Sequence, residues 1–139
     1  MPDSVSGPVM NTEGKGNNWG ATSLACLPTM RVPENVRWHE DLIYNCMWSL
    51  LVAVKNWNMN ADNTKINRVL LTGLATGYGG MRANKCAEQM ILAARHFTEA
   101  LYGPGHPRWK EVVPRTNEIV DTINLDKDRT LRYDDDDDF

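Results

Sequence analysis

Cysteine is scarce and unpaired in this chain. Cys26, Cys46 and Cys86 are odd in number, widely spaced and never in a C-x-x-C pair, and no histidine stands near them at zinc-ligand spacing. That excludes a disulfide framework and a structural zinc site, and no metal is expected. The bland reading is three reduced, mostly buried thiols in an intracellular protein, cytoplasmic or nuclear. Long apolar runs are absent as well: none approaches the ~20 residues that span a bilayer. The polar, Gly-rich opening has neither the basic start nor the apolar middle of a signal peptide. A basic excess is also missing, with 15 Lys and Arg against 18 Asp and Glu. Five of the carboxylates form the run Asp134–Asp138, and removing them from the net charge of -3 leaves +2. A near-neutral body weighs against a nucleic-acid binder and against an acidic disordered protein.

What is present suits one domain. The 139 residues are 42% hydrophobic, within the ordinary range for a globular domain with a core. Residues 1–20 read as a polar extension punctuated by glycine. Ala21–Leu27 is small and apolar and ends at Pro28, the pattern of a buried strand. From Trp38 to Asn58 the period becomes helical: Leu42, Ile43, Cys46, Met47, Leu50, Leu51, Val54 and Trp57 make one stripe, with Glu40, Asn45, Ser49 and Lys55 elsewhere. After a polar loop, Ile66–Thr72 holds Val69, Leu70 and Leu71 in an unbroken run, as inner strands of parallel sheets do. A second helix is expected over Arg82–Leu101, with Cys86, Ala87, Met90, Ile91, Ala94, Phe97 and Leu101 on its apolar face, ended by Gly103–Pro107. The order strand, helix, strand, helix predicts an α/β fold with parallel strands and right-handed crossovers. Glu118–Leu125 fits either a short helix or an edge strand, and the residues from Asp126 onward read as a solvated tail.

Between the second strand and the second helix lies Gly73-Leu-Ala-Thr-Gly-Tyr-Gly-Gly80. A Gly-rich turn that enters a helix start presents backbone N–H groups to an anion, and ligands of open α/β sheets collect at that edge. Gly77, Gly79 and Gly80 allow close approach of a ligand to the main chain, Thr76 adds a hydroxyl, and Tyr78 offers a ring. The loop is neither a Walker A sequence nor a G-x-G-x-x-G fingerprint; from Gly77, the last fingerprint position falls on Arg82.

The segment Arg68–Met81, with Cys86-Ala-Glu-Gln-Met90 downstream and Cys26–Pro33 upstream, resembles the second half of macro domains, closest to a macro-like branch with T-G-x-G-G-M before the helix. The resemblance covers about residues 21–101. It implies a three-layer α/β/α fold, apparently truncated, with a macro-like region over 21–103 flanked by extensions 1–20 and 104–139. It further implies binding of ADP-ribose or a related nucleotide diphosphate by Gly73, Ala75, Thr76, Gly77, Tyr78, Gly79 and Gly80. The earlier half of such domains, which supplies an Asn-rich strand end and a second Gly-rich loop, finds no match in residues 1–20, so no catalytic residue is assigned. Two alternatives stand beside binding. One is a hydrolase of ADP-ribosylated protein or phosphorylated ADP-ribose. The other is a degenerate module that binds a protein partner or self-associates through exposed sheet edges.

Of the remaining side chains, His39, His96 and His106 form no ligand-spaced pair and read as solvated or hydrogen-bonded. Trp38, Trp48 and Trp57 read as packing residues. No cofactor is expected.

Overall fold

The computed structural model describes residues 9–11, 20–105 and 107–130, with side chains over 20–105 and 107–123. Most of the 1–20 extension, His106 and the Asp134–Asp138 run lie outside the described residues. Strands β1 (Val9–Asn11) and β2 (Ser23–Ala25) pair antiparallel, Val9 opposite Ala25. Three helices follow: α1 (Leu42–Met59), α2 (Ala83–Tyr102) and α3 (Trp109–Thr130).

The expected three-layer α/β/α fold with a strand–helix–strand–helix core is therefore wrong; the described chain is mostly helical. Of Ala21–Leu27, only Ser23–Ala25 pairs, and Leu24 at its centre is exposed. Residues 66–72 form no strand, and Leu70 is 81% exposed. An inner parallel strand needs a neighbour on each side to take its N–H and C=O groups. The one sheet described has two strands, paired antiparallel, and offers residues 66–72 no place.

The helices instead bury their stripes against each other. From α1 come Leu42, Ile43, Cys46, Met47 and Leu50, as the hydropathy pattern predicts, while Asn45, Ser49 and Lys55 face solvent. Val36, Leu74, Met81, Cys86 and Ala93 complete the core. Full burial of Ile43 is worth about 1.5–3 kcal/mol. Burial pushes both the Cys46 and the Cys86 thiol up from their ordinary value, and a hydrogen bond from the Leu74 backbone offsets part of the effect at Cys86. Cys26 is exposed.

On α2 the buried line coincides only in part with the apolar one: Cys86 lies in the core and Met90 and Ala94 pack against it. Lys85, Cys86, Gln89, Ala93 and His96 face inward, whereas Ile91 is 68% exposed and Ala87 and Leu101 are exposed too. The inward face is rotated toward α3, and polar groups carry its contacts. Fully buried Gln89 uses its whole amide: Nε2 donates to Glu40 O at 2.8 Å and Thr122 Oγ1 at 3.0 Å, and Oε1 accepts the Tyr44 N–H at 3.3 Å. It thereby takes up one of the otherwise unpaired amides in the first turn of α1.

Glu118–Leu125, for which a short helix and an edge strand were both open, lies within the longer helix α3, which runs on through Asp126, where a solvated tail was expected. It starts where Glu111 reaches back to the Arg108 N–H at 3.0 Å, half of a capping box. Among the described residues no helix is long and apolar enough to cross a membrane.

Candidate functional site

The 73–80 loop is two nested turns. Gly80 N–H bonds Gly77 O, Met81 N–H bonds Ala75 O, both at 3.0 Å, and the Thr76 hydroxyl donates to Gly73 O at 3.0 Å. Leu74 and Met81 pin its two ends in the core beside Val36. The segment before α1 docks on it: Val36 N–H bonds Gly79 O at 3.0 Å, and Arg37 Nε donates to Gly80 O at 2.5 Å. Packing accounts for two of the glycines. A Cβ on Gly79 would stand 2.5 Å from Ala75 O, and Gly80 has φ +67°. Gly77 faces open space, so no such constraint acts there.

Each residue expected in the site thus has a place. Gly73, Ala75 and Thr76 form the leading side of the loop, Gly79 and Gly80 contact residues 35–37, and Gly77 with Tyr78 (84% exposed) forms the tip. The N–H groups of Thr76, Gly77, Tyr78 and Gly79 take no part in the internal bonds, whereas those of Gly80 and Met81 are engaged.

The chain then enters α2. Arg82 is the N-cap residue, with no capping bond from its side chain, and the first bond of the helix runs from Cys86 N–H to Arg82 O at 3.0 Å. The N–H groups of Ala83, Asn84 and Lys85 precede it and lack intrahelical acceptors, giving this end its partial positive charge. Lys85 is 5% exposed as a whole, but its ammonium, which has no hydrogen bond or ion pair among the described residues, keeps contact with solvent, since no buried side-chain nitrogen or oxygen there lacks a partner. Side chains of a helix lean toward its N-terminus, here the loop end. Arg37, whose Nε bonds Gly80 O, adds a guanidinium at the loop. Sequence reasoning passed over Lys85 because it sits beside an expected apolar face. The signal was there in the spacing Lys85, Gln89, Ala93, His96, a second helical stripe.

A second polar cluster joins all three helices at the other end of α2. His96, 1% exposed, lies between Tyr44 and Glu118: its Nδ1 is 3.0 Å from Tyr44 Oη and its Nε2 is 2.6 Å from Glu118 Oε2. Glu118 as a carboxylate only accepts, so Nε2 carries a proton toward it; in the neutral imidazole Nδ1 then accepts from the phenol. Arg95 also bonds Glu118, and Arg115 pairs with Glu99 at 3.4 Å. Hydrogen bonds from His96 and then Arg95 hold the Glu118 carboxyl below its ordinary value. Burial pushes the Tyr44 phenol up, with Arg115 offsetting part. A phenol held protonated is no nucleophile, so this carboxylate–imidazole–phenol chain works as a lock between helices.

His39 stacks on Trp38 and lies 3.5 Å from Asp41. Trp48 packs on Tyr44 and Phe97, Trp57 donates to Thr64 O at 2.9 Å, and Trp38 is exposed. No group of His, Cys, Asp and Glu among the described residues is arranged to hold a metal ion. Comparison with known protein families, curated proteins and solved structures finds no match to this chain.

Proposed function

We propose that the 73–80 loop and the start of α2 bind a phosphate-bearing ligand. The loop's resemblance to macro domains nominates ADP-ribose or a related nucleotide diphosphate. The observation that carries the reading is the run of N–H groups at Thr76–Gly79 outside the loop's internal bonds, leading into a helix start whose first N–H groups lack intrahelical acceptors, with Lys85 in that first turn. An anion at the helix start would accept from these N–H groups and pair with the ammonium. Gly77 and Tyr78 at the tip would meet the second phosphate and a sugar or base. The reading rests on this loop and helix start alone, not on the three-layer fold.

Calorimetry with ADP-ribose tests it. Binding is expected, with Lys85→Met weakening it about 10–100-fold, the range for a hydrogen bond to a charged group. Absence of heat at millimolar ligand in a folded sample would overturn the reading. Hydrolysis finds less support, since both ring nitrogens of His96 are engaged in the helix lock.

A second reading, an interaction module, is favoured by Val69 and Leu70, which are exposed in a stretch outside the sheet. Light scattering separates the two: a monomer at all concentrations removes self-association through this segment.

A further inference from the structure

α3 stands apart from the apolar core. Among the described residues, none of the buried hydrophobic side chains, and none of the half-buried ones packed against them, comes from α3. Val112, Ile119 and Ile123 are only half-buried, and Thr122 is the one buried side chain described on this helix. What holds the helix is polar. Thr122 Oγ1 accepts from Gln89 at 3.0 Å, Glu118 Oε2 lies 2.6 Å from His96 Nε2 and also bonds Arg95, and Arg115 pairs with Glu99 at 3.4 Å. α1 reaches this junction through the Tyr44 hydroxyl, 3.0 Å from His96 Nδ1. Such a junction opens more readily than an apolar one. Parting an apolar interface exposes hydrocarbon, whereas Gln89, His96 and the Tyr44 hydroxyl can bond to water instead. Segments with few buried apolar contacts open below the free energy of global unfolding. The connection from α2 also suits a hinge: Gly105 has φ +76°, and a Cβ placed there would meet nothing within 4 Å.

We infer that α3 is a hinged arm that undocks as a unit from a folded α1–α2 body, with Glu118 as its latch. Glu118 faces the His96 imidazole and the Arg95 guanidinium of α2. Glu99 and Arg115 flank them, and Tyr44 of α1 closes the far side of His96. Both latch contacts are stronger with a carboxylate than with a neutral acid. The His96 and Arg95 hydrogen bonds hold the Glu118 carboxyl below its ordinary value. The latch is therefore fully closed above the ordinary carboxylate range and weakens as pH falls through the folded-state value. Protonation leaves Arg95 without its full counter-charge and gives the His96 N–H a poorer acceptor. The apolar α1–α2 core has no charge to lose.

Amide hydrogen exchange read by mass spectrometry tests this on the full chain from pH 7 to pH 3, after correction for the intrinsic pH dependence of exchange. Peptides from 109–123 are expected to lose protection at least about ten-fold, the low end for hydrogen bonds to a charged group. Peptides from α1 and α2 are expected to keep theirs. Glu118→Gln is expected to show reduced α3 protection already at pH 7 and little further change on acidification. Thr122→Val removes the bond to Gln89 but no ionisable group, so it is expected to lower α3 protection at every pH with the acid step intact. Joint loss in all three helices overturns the inference, because they then open as one body. Constant α3 protection down to pH 3 overturns it as well, and an unchanged acid step in Glu118→Gln removes Glu118 as the latch. No ligand enters the measurement, so the result is independent of the anion site.

Discussion

At the scale of single residues, the chain from Tyr44 through His96 to Glu118 joins three helices through one buried imidazole. Its outer end is a carboxylate whose ionised form is favoured by the His96 and Arg95 hydrogen bonds. Because the folded-state pKa of Glu118 is lowered, its contribution to stability is fully present above the ordinary carboxylate value. It is lost as pH falls through the folded-state pKa. Urea unfolding followed from pH 7 to pH 3 is therefore expected to show a smaller acid destabilisation for Glu118→Gln than for the parent chain. Parallel pH profiles would mean that the pair holds equally well with a neutral glutamic acid. Lys85 is the counter-example on the same helix. Its stem is sheltered, but its ammonium has no such partner and keeps contact with solvent.

For the helices, the departures from ideal sequence are informative. Pro114 lies inside α3, where it removes the N–H that would bond the carbonyl four residues back, at Lys110. Its side chain is exposed, so no core contact offsets that loss. Pro114→Ala is expected to raise the melting temperature and the helical circular dichroism, with up to about 3 kcal/mol available from the propensity difference. A lower melting temperature would mean that the proline rigidifies the unfolded chain more than it disturbs the helix. Both α1 and α2 were legible from periodicity to within a few residues of their ends. The inward face of α2 was not. Hydropathy weights Ile91 above Gln89, yet the glutamine amide is fully satisfied at the junction of three helices, and Ile91 is left outside. α3 was only half legible because Pro114 and its many charged residues interrupt the apolar signal.

Across the whole molecule, the misreading of residues 66–72 shows how a short apolar run misleads. Three consecutive aliphatic residues fit a buried strand, a helix segment or an exposed connector equally well, and only partner strands decide. No such partner stands beside residues 66–72 among the described residues, and local pattern could not show that. The 73–80 loop was legible as a constrained turn into a helix. Its surroundings, the docked 35–37 segment and Lys85, depend on tertiary contacts. The core divides unevenly as a result: α1 and α2 share an apolar interface, whereas α3 is attached mainly by polar groups, with Thr122 its one fully sheltered side chain among those described.

The placement of the thiols turns this uneven core into a chemical clock. Alkylation requires a thiolate reached by reagent, so Cys26 is open to it at once, while Cys46 and Cys86 must wait for α1 and α2 to part. Iodoacetamide followed by intact-mass analysis is expected to give one adduct quickly, then a slow, joint gain of two more. Separate slow steps would show that the helix pair opens piecemeal. In the joint case, the lag between first and third adduct reads the lifetime of the α1–α2 interface directly, with no added dye or label.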